Sequence, residues 1–324
     1  MAIKTRIQSK NGTEAEWDLA TNFIPLKGEV IIYNTDGENI YPRIKIGDGE
    51  TPVTQLPFAN EEISDAEIDE ICSIITISSI LAENSWDVIQ KAARDGTAKN
   101  YWNVGDRIGI ELNGTCSKLT FSNETYYAYI LGFDHNPEYE EAGIHFQFGF
   151  TAASGGVNIA FLSGYDDDSD FYMNSSATNT GGWASSFMRS TVCANFFNCL
   201  PTALQNVIAS TTKWTDNTGG GSDTASYVTS TSDKIFLLAE YEIHGTRSYA
   251  NSAEQNYQVQ YDYYKNGNSK VKYRHTATGS TFSWWTRSPR SSNSSYFGFV
   301  GTGGGASGIG ASNSLGFAPG FRVG

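Results

Sequence analysis

The chain has 324 residues, 22 Lys+Arg against 35 Asp+Glu, a net charge of −13 and 18% charged residues. That length sets an expectation of about two or three domains, and the acid excess repels nucleic-acid backbones and anionic lipid alike. The longest apolar run, near Ile74–Leu81, is interrupted by Thr76, Ser78 and Ser79. It is far shorter than the ~20 residues of a membrane span, and the polar continuation of the first residues offers no secretory signal.

A hydrophobic content of 39% with 13% aromatics supplies a sizeable core, and 33 glycines against 8 prolines point to tight turns and close-packed strands. The cysteines are Cys72, Cys116, Cys193 and Cys199, with no CxxC pair and no histidine at zinc-finger spacing. Cys193 and Cys199 fall on one expected helix, about 9 Å apart by helical rise, which is too far for a disulfide. Buried free thiols of a protein made in a reducing cytosol are the reading.

In chain order, Arg6–Ser9, Glu29–Tyr33 and Arg43–Ile46 are strand-like, punctuated by Gly12, Asp36-Gly37 and Asp48-Gly49. Between them Thr13 and Glu16 form a capping box for one or two helical turns over Thr13–Ala20. The core of this first segment is thin for an independent monomer, and oligomerisation would relieve that. Residues 61–82 carry helical spacing through Ile63, Ile68, Ile71, Ile74 and Ile75, and read as a connector.

Ser85 caps a helix whose face carries Trp86, Ile89 and Ala93, and Gly96 ends it. Arg107–Leu112 and Tyr126–Phe133 alternate as paired strands, and His145–Thr151 and Val157–Leu162 continue as extended segments. Residues 184–200 form an amphipathic helix through Phe187, Met188, Val192, Phe196 and Leu200, and Pro201 opens a short helix over Ala203–Ile208. Asp216–Ser232 reads as a long loop, Ile235–Ala239 as a buried strand and 245–280 as loop-rich. From Phe282 the pattern is strand-turn-strand, ending at Gly316–Val323.

Chemistry is sparsely marked. His135, His145, His244 and His275 lie in no HExxH, no serine lies in GxSxG, and Gly303-Gly304-Gly305 has neither a nearby lysine nor a following helix. Nothing selects two carboxylates for a glycosidase, so no catalytic residue is expected and the chain reads as a non-enzyme. Asp166, Asp168 and Asp170 alternate as calcium ligands do. A solvated acidic loop is the plainer reading, with calcium as the alternative and no other cofactor.

Trp284-Trp285 opens a segment rich in Ser, Asn and Gly whose apolar residues cluster at its two ends. A recognition surface between two packed anchors fits this pattern. An exposed glycine-rich hairpin without a role is the plain alternative. The expected contact residues are Arg290, Ser291, Ser292, Asn293, Ser294, Tyr296, Thr302, Ser307, Ser312 and Asn313. Arg290 would pair with an anion or a sugar, Tyr296 would stack, and the Ser and Asn side chains would hydrogen-bond. Trp183, Trp284, Trp285 and Phe321 are assigned to the core.

Two stretches resemble known families. Arg6-Ile7-Gln8, Gly12-Thr13, Ala15-Glu16-Trp17, Gly28-Glu29, Lys45-Ile46-Gly47-Asp48-Gly49 and Leu56-Pro57 resemble the N-terminal domain of phage major tropism determinant proteins. The resemblance implies an intertwined β module in a trimer. The run from Trp86 to Gly105, Leu131–His135, Gly181-Gly182-Trp183, Ser186–Arg189, Leu200-Pro201 and Trp284–Pro289 are similar to a domain of unknown function common in phage, prophage and surface proteins of Firmicutes. The ending Gly316–Val323 is similar to C-type lectin-like domains of the formylglycine-generating-enzyme type, which the variable proteins of diversity-generating retroelements carry. The calcium-lectin tripeptides Glu-Pro-Asn and Trp-Asn-Asp are absent, and no cysteine follows Cys199, so neither calcium-borne sugar binding nor copper oxidase chemistry is implied.

The expectation is therefore an α+β, β-rich chain in three parts. Residues 1–60 would be a tail-attachment and trimerisation β domain, 61–84 a helical connector, and 85–324 a C-type lectin-like receptor-binding domain. The resemblance implies a homotrimeric tail-fibre protein, made in the host cytoplasm and carried on the virion tail. It would join other tail or baseplate proteins and bind a bacterial surface glycan or protein. A structural baseplate component or a carbohydrate-degrading tailspike are the rivals.

Overall fold

The computed structural model describes residues 10–35, 42–59, 77–149, 159–161, 171–275 and 277–324. The fold is mixed α+β and strand-rich, as the sequence predicts. It divides into two compact units, Met1–Thr76 and Ile77–Gly324. The expected strand Arg6–Ser9, residues 60–76 of the connector, Cys72 and the Asp166–Asp170 run lie outside the described residues. The last part of the expected connector belongs to the second unit, where Leu81 is buried in the core.

The first unit is a three-stranded sheet in the order Lys10–Gly12, Val30–Tyr33, Arg43–Ile46, the first pair parallel and the second antiparallel. Thr13 caps the helix Glu14–Asp18 with the expected capping box: its hydroxyl accepts from Glu16 N, and Glu16 Oε2 accepts from Thr13 N. The small core consists of Ile31, Tyr33 and Val53, with Trp17, Ala20, Phe23 and Phe58 against it. The pleat that buries Ile31 and Tyr33 turns Val30 outward, and its cross-strand partner Ile46 is exposed beside it.

The second unit is built on one sheet in the order Ile235–Phe236, Gly320–Val323, Ile144–Gly149, Leu119–Phe133, Arg107–Cys116, all antiparallel; Ile208–Ala209 also pairs with Gly320–Val323. The alternation in Arg107–Leu112 buries Ile108, Ile110 and Leu112 on one face, as period-2 spacing requires. Ser85 caps the helix Trp86–Arg94 by accepting from Val88 N, and Gly96 follows it at a positive φ of 65°. Trp86 then meets Phe146 and Phe321 edge-on, at 6.0 and 6.4 Å, while those two rings stack at 5.2 Å. The last strand thus lies inside the sheet, flanked by Ile144–Gly149 on one side and by Ile235–Phe236 and Ile208–Ala209 on the other, and Phe321 on it belongs to the core. Trp183, Trp284, Trp285 and Phe321 are fully buried, as expected. Cys116, Cys193 and Cys199 are buried, Cys193 and Cys199 as free thiols.

Several expectations need correction. The helix over 184–200 is shorter and of two kinds, π-helical over Met188–Cys193 and α-helical over Ala194–Asn198. Residues 181–185 are turn instead, because Gly182 takes a positive φ of 52° and passes against Asp216, where a Cβ would meet Asp216 O. The following helix is Thr202–Val207, and Ile208 already belongs to a strand. Asp216–Ser232 is not one loop: Val228–Asp233 pairs antiparallel with Thr211–Asp216. The strand expected over Ile235–Ala239 is limited to Ile235–Phe236, though Leu237–Ala239 are buried. The loop-rich stretch 245–280 carries the short helices Ser252–Asn256 and Asp262–Lys265.

Candidate functional site

The strand Trp284–Pro289 is buried throughout. It pairs with Tyr296–Val300, which pairs in turn with Ala306–Gly310. The turn between the first two strands carries Arg290–Ser295 to the surface. Small polar side chains cannot hold such a turn by packing, so hydrogen bonds must do so.

Asn179 is the centre of that support. It is fully buried. Its Nδ2 donates to the carbonyls of Arg290 (3.3 Å), Asn293 (2.8 Å) and Tyr296 (2.8 Å). Its Oδ1 accepts from Gly220 N at 2.8 Å, and its own backbone N–H donates to Ser294 O at 2.8 Å. One side chain thereby ties the contact turn to the loop after Asp216.

Two buried acids organise the neighbouring loops in the same way. Glu240 accepts from the backbone N–H groups of Ser248, Tyr249 and Ala250. Asp216 accepts from Thr218 N and Gly219 N through Oδ1, and from Asn251 Nδ2 through Oδ2. Ser291 joins the clusters, its N–H donating to Tyr249 O at 2.9 Å. Three loops distant in sequence therefore meet at one rigid surface.

The predicted contact residues divide within this geometry. Ser292 and Ser294 are exposed on the turn, and Arg290, Ser291, Asn293 and Tyr296 are half-buried. Asn293 Oδ1 accepts from Ser295 N. Asn313 and Ser312 are exposed on the turn after Gly310, which pairs directly with Tyr296, so both lie at the same end of the sheet. Thr302 lies in the turn at the opposite end of the hairpin. Four residues of strand, about 13 Å, separate Tyr296 from Val300 at that far end. Ser307 pairs with Phe299 and alternates with Gly308, so it occupies the face opposite the arginine. The structure thus groups eight of the ten and leaves Thr302 and Ser307 apart. Tyr249, Asn179 and Glu240 are additions that sequence reasoning did not supply. A lone Asn or Glu in a polar stretch carries no periodic signal.

Beneath this surface lies a buried ionic network. Arg287 forms a bidentate pair with Glu242, Nη1–Oε2 2.5 Å and Nη2–Oε1 2.7 Å. Lys213 Nζ lies 2.8 Å from Glu140, 3.4 Å from Glu242 and 2.9 Å from the Tyr261 hydroxyl. Burial disfavours the Glu242 anion, but Arg287 and then Lys213 outweigh it and hold the carboxyl below the usual range. His135 stacks on Tyr261 at 3.5 Å, and His145 Nδ1 lies 2.9 Å from the same hydroxyl. Burial and then Lys213 push both imidazoles well below their ordinary titration range, so they are neutral at pH 7.

His135, Glu140 and Glu242 bring ligand-type atoms within 4.8 Å of one another. Two carboxylates facing Lys213 and Arg287 already balance in charge, and a divalent cation would have to displace those partners. The arrangement fits a structural ion-pair cluster better than a metal centre. The calcium expectation falls on Asp166, Asp168 and Asp170, outside the described residues.

Residues 161–323 match a family model described as "Domain of unknown function (DUF6273)". No curated protein and no solved structure matches the chain. No helix among the described residues is long and apolar enough to cross a membrane.

Proposed function

The chain belongs to the DUF6273 family, and from that premise we propose that it is a receptor-binding tail protein of a phage or phage-tail-like particle, which attaches the particle to a bacterial surface. The observation that carries the reading is the turn Arg290–Ser295. Its polar side chains face outward while buried Asn179 fixes its backbone from beneath. Such a surface combines rigid presentation with side chains that few packing contacts depend on. A binding role without catalysis fits the ionic cluster, whose carboxylates are engaged by Lys213 and Arg287. The second unit would be the lectin-like head. The first would join the tail as a homotrimer, a role supported by its thin core and the outward Val30 and Ile46. Three heads with modest sites can reach about 10²–10⁴ higher avidity when their spacing matches the target.

The test is adsorption of the full-length protein to a panel of Gram-positive cells, beside a variant with Arg290→Ala, Asn293→Ala and Tyr296→Ala. Adsorption by the native protein, lost in the triple variant with little change in melting temperature, is expected. Absence of adsorption across the panel by the intact oligomer would point to a structural baseplate component. Release of oligosaccharide from the cell wall would point to a tailspike. A large fall in melting temperature would return the three side chains to a structural role.

A further inference from the structure

The arginine at the start of the contact turn is held in an unusual way. Its guanidinium carbon stands 4.8 Å from the centre of the Tyr249 ring and 5.8 Å from that of Tyr296, both within cation–π range. Its Nε donates to Ser292 Oγ at 3.0 Å. Its stem lies along the strand Ala306–Gly310 at Gly308, where a Cβ would come within 3.2 Å of Arg290 Cδ and 3.4 Å of Nη1. Tyr249 is itself fixed, because its backbone N–H and those on either side of it are bound by Glu240. The guanidinium is therefore positioned before any ligand arrives.

Neither Nη1 nor Nη2 has a partner among the described residues, and no described carboxylate lies within ion-pair distance of them. What sets this arginine apart is that its two open donors are held in place by the two rings. The planar pair of donors matches the two oxygens of a carboxylate or phosphate, and the flanking rings offer faces on which a sugar can lie.

We propose that Arg290, held between Tyr249 and Tyr296 over Gly308, binds an oxyanion group of an anionic surface glycan, either a carboxylate or a phosphate diester. The inference rests on the receptor-binding reading and adds the ligand class and Tyr249 to it. Gly308 leaves room for this placement, since a Cβ there would press on Arg290 Cδ and Nη1 and require the side chain to shift by a few tenths of an ångström.

The experiment measures binding of the full-length protein to three immobilised polymers: poly(glycerol phosphate), polygalacturonate and neutral dextran. Native protein is expected to bind an anionic polymer and not dextran. Preference for the first polymer identifies a phosphate source, and preference for the second a carboxylate source. Arg290→Gln should weaken that binding at least tenfold. Arg290→Lys should restore only part of it, because a point charge lacks the planar fork. Gly308→Ala retains every charge and should weaken binding less than Arg290→Gln does, with cell adsorption and melting temperature measured on the same samples. Equal binding by native protein and Arg290→Gln, or binding to neither anionic polymer, overturns the inference. If cells are still adsorbed in that case, the receptor-binding reading stands without it; if they are not, both fall.

Discussion

Glu254 is a fully buried carboxylate without a cation at ion-pair distance among the described residues. It accepts from the Ser288 hydroxyl at 2.6 Å, from Asp216 N at 3.0 Å and from Gln258 Nε2 at 3.2 Å. These bonds favour the anion, but burial is the larger effect and pushes the carboxyl up from 4.5 to about 7. A carboxyl raised on folding binds its proton more tightly in the native state. Its contribution to stability is therefore full below its unfolded value near 4.5 and is lost as pH rises through about 7. The shift corresponds to about 3 kcal/mol at 1.36 kcal/mol per pH unit. Glu254→Gln should remove that part of the pH dependence. Chemical unfolding of both proteins at pH 5 and pH 8 is expected to show the native protein losing about 2–3 kcal/mol relative to the variant across the interval. Parallel pH profiles would mean that the three hydrogen bonds, and not burial, govern this carboxyl.

At the scale of elements, the contact turn depends on a residue more than 110 positions away. Asn179→Ala would remove its bonds to three carbonyls, each of which keeps a backbone donor within the turn, and leave the Gly220 N–H without its acceptor, at a cost of about 2–4 kcal/mol. Asn179→Asp should cost more than the alanine. It keeps an acceptor for Gly220 N–H but places a carboxylate oxygen against three carbonyl oxygens. Guanidinium unfolding measures both, and an aspartate variant as stable as the native protein would remove Asn179 from its central role. Such hubs are hard to read in sequence because they have no period. Elements with a period were legible: the Thr13 and Ser85 caps, the alternating Arg107–Leu112 strand and the tryptophan anchors all stand where the residue pattern puts them. The strand Val228–Asp233 was not, because its sequence is threonine and serine with a single buried valine near one end. Polar β-branched strands resemble loops until the partner strand is known. The turn at 181–185 was missed for a related reason. Its signal is Gly182 passing against Asp216, a tertiary contact without a local pattern. The candidate surface was legible as a segment, since Ser, Asn and Gly crowd it. Its division was not, because which face Ser307 occupies depends on register.

On the whole-molecule scale, the two units differ in how completely they bury their apolar residues. The second encloses four tryptophans and a stack of phenylalanines in one continuous cluster. The first buries Ile31, Tyr33 and Val53 but leaves Leu19 at 85% and Leu26 at 74% exposure, with Ile24, Val30 and Ile46 also open. Val30 and Ile46 are direct cross-strand partners, so they form one apolar strip on the sheet face. Covering a large aliphatic side chain gains about 1.5–3 kcal/mol, and a second copy of the same unit can cover such a strip by symmetry. Under the proposed trimer, Leu26→Asp with Ile46→Asp should convert the protein from three chains to one at micromolar concentration, as read by light scattering after gel filtration. The melting of the second unit should be unchanged, since its core includes neither residue. Apparent affinity for cells should then fall by about 10²–10⁴, the avidity supplied by three joined heads. Loss of trimer with undiminished adsorption would show that a single head suffices, and a native protein already monomeric at these concentrations would remove the trimer from the proposal.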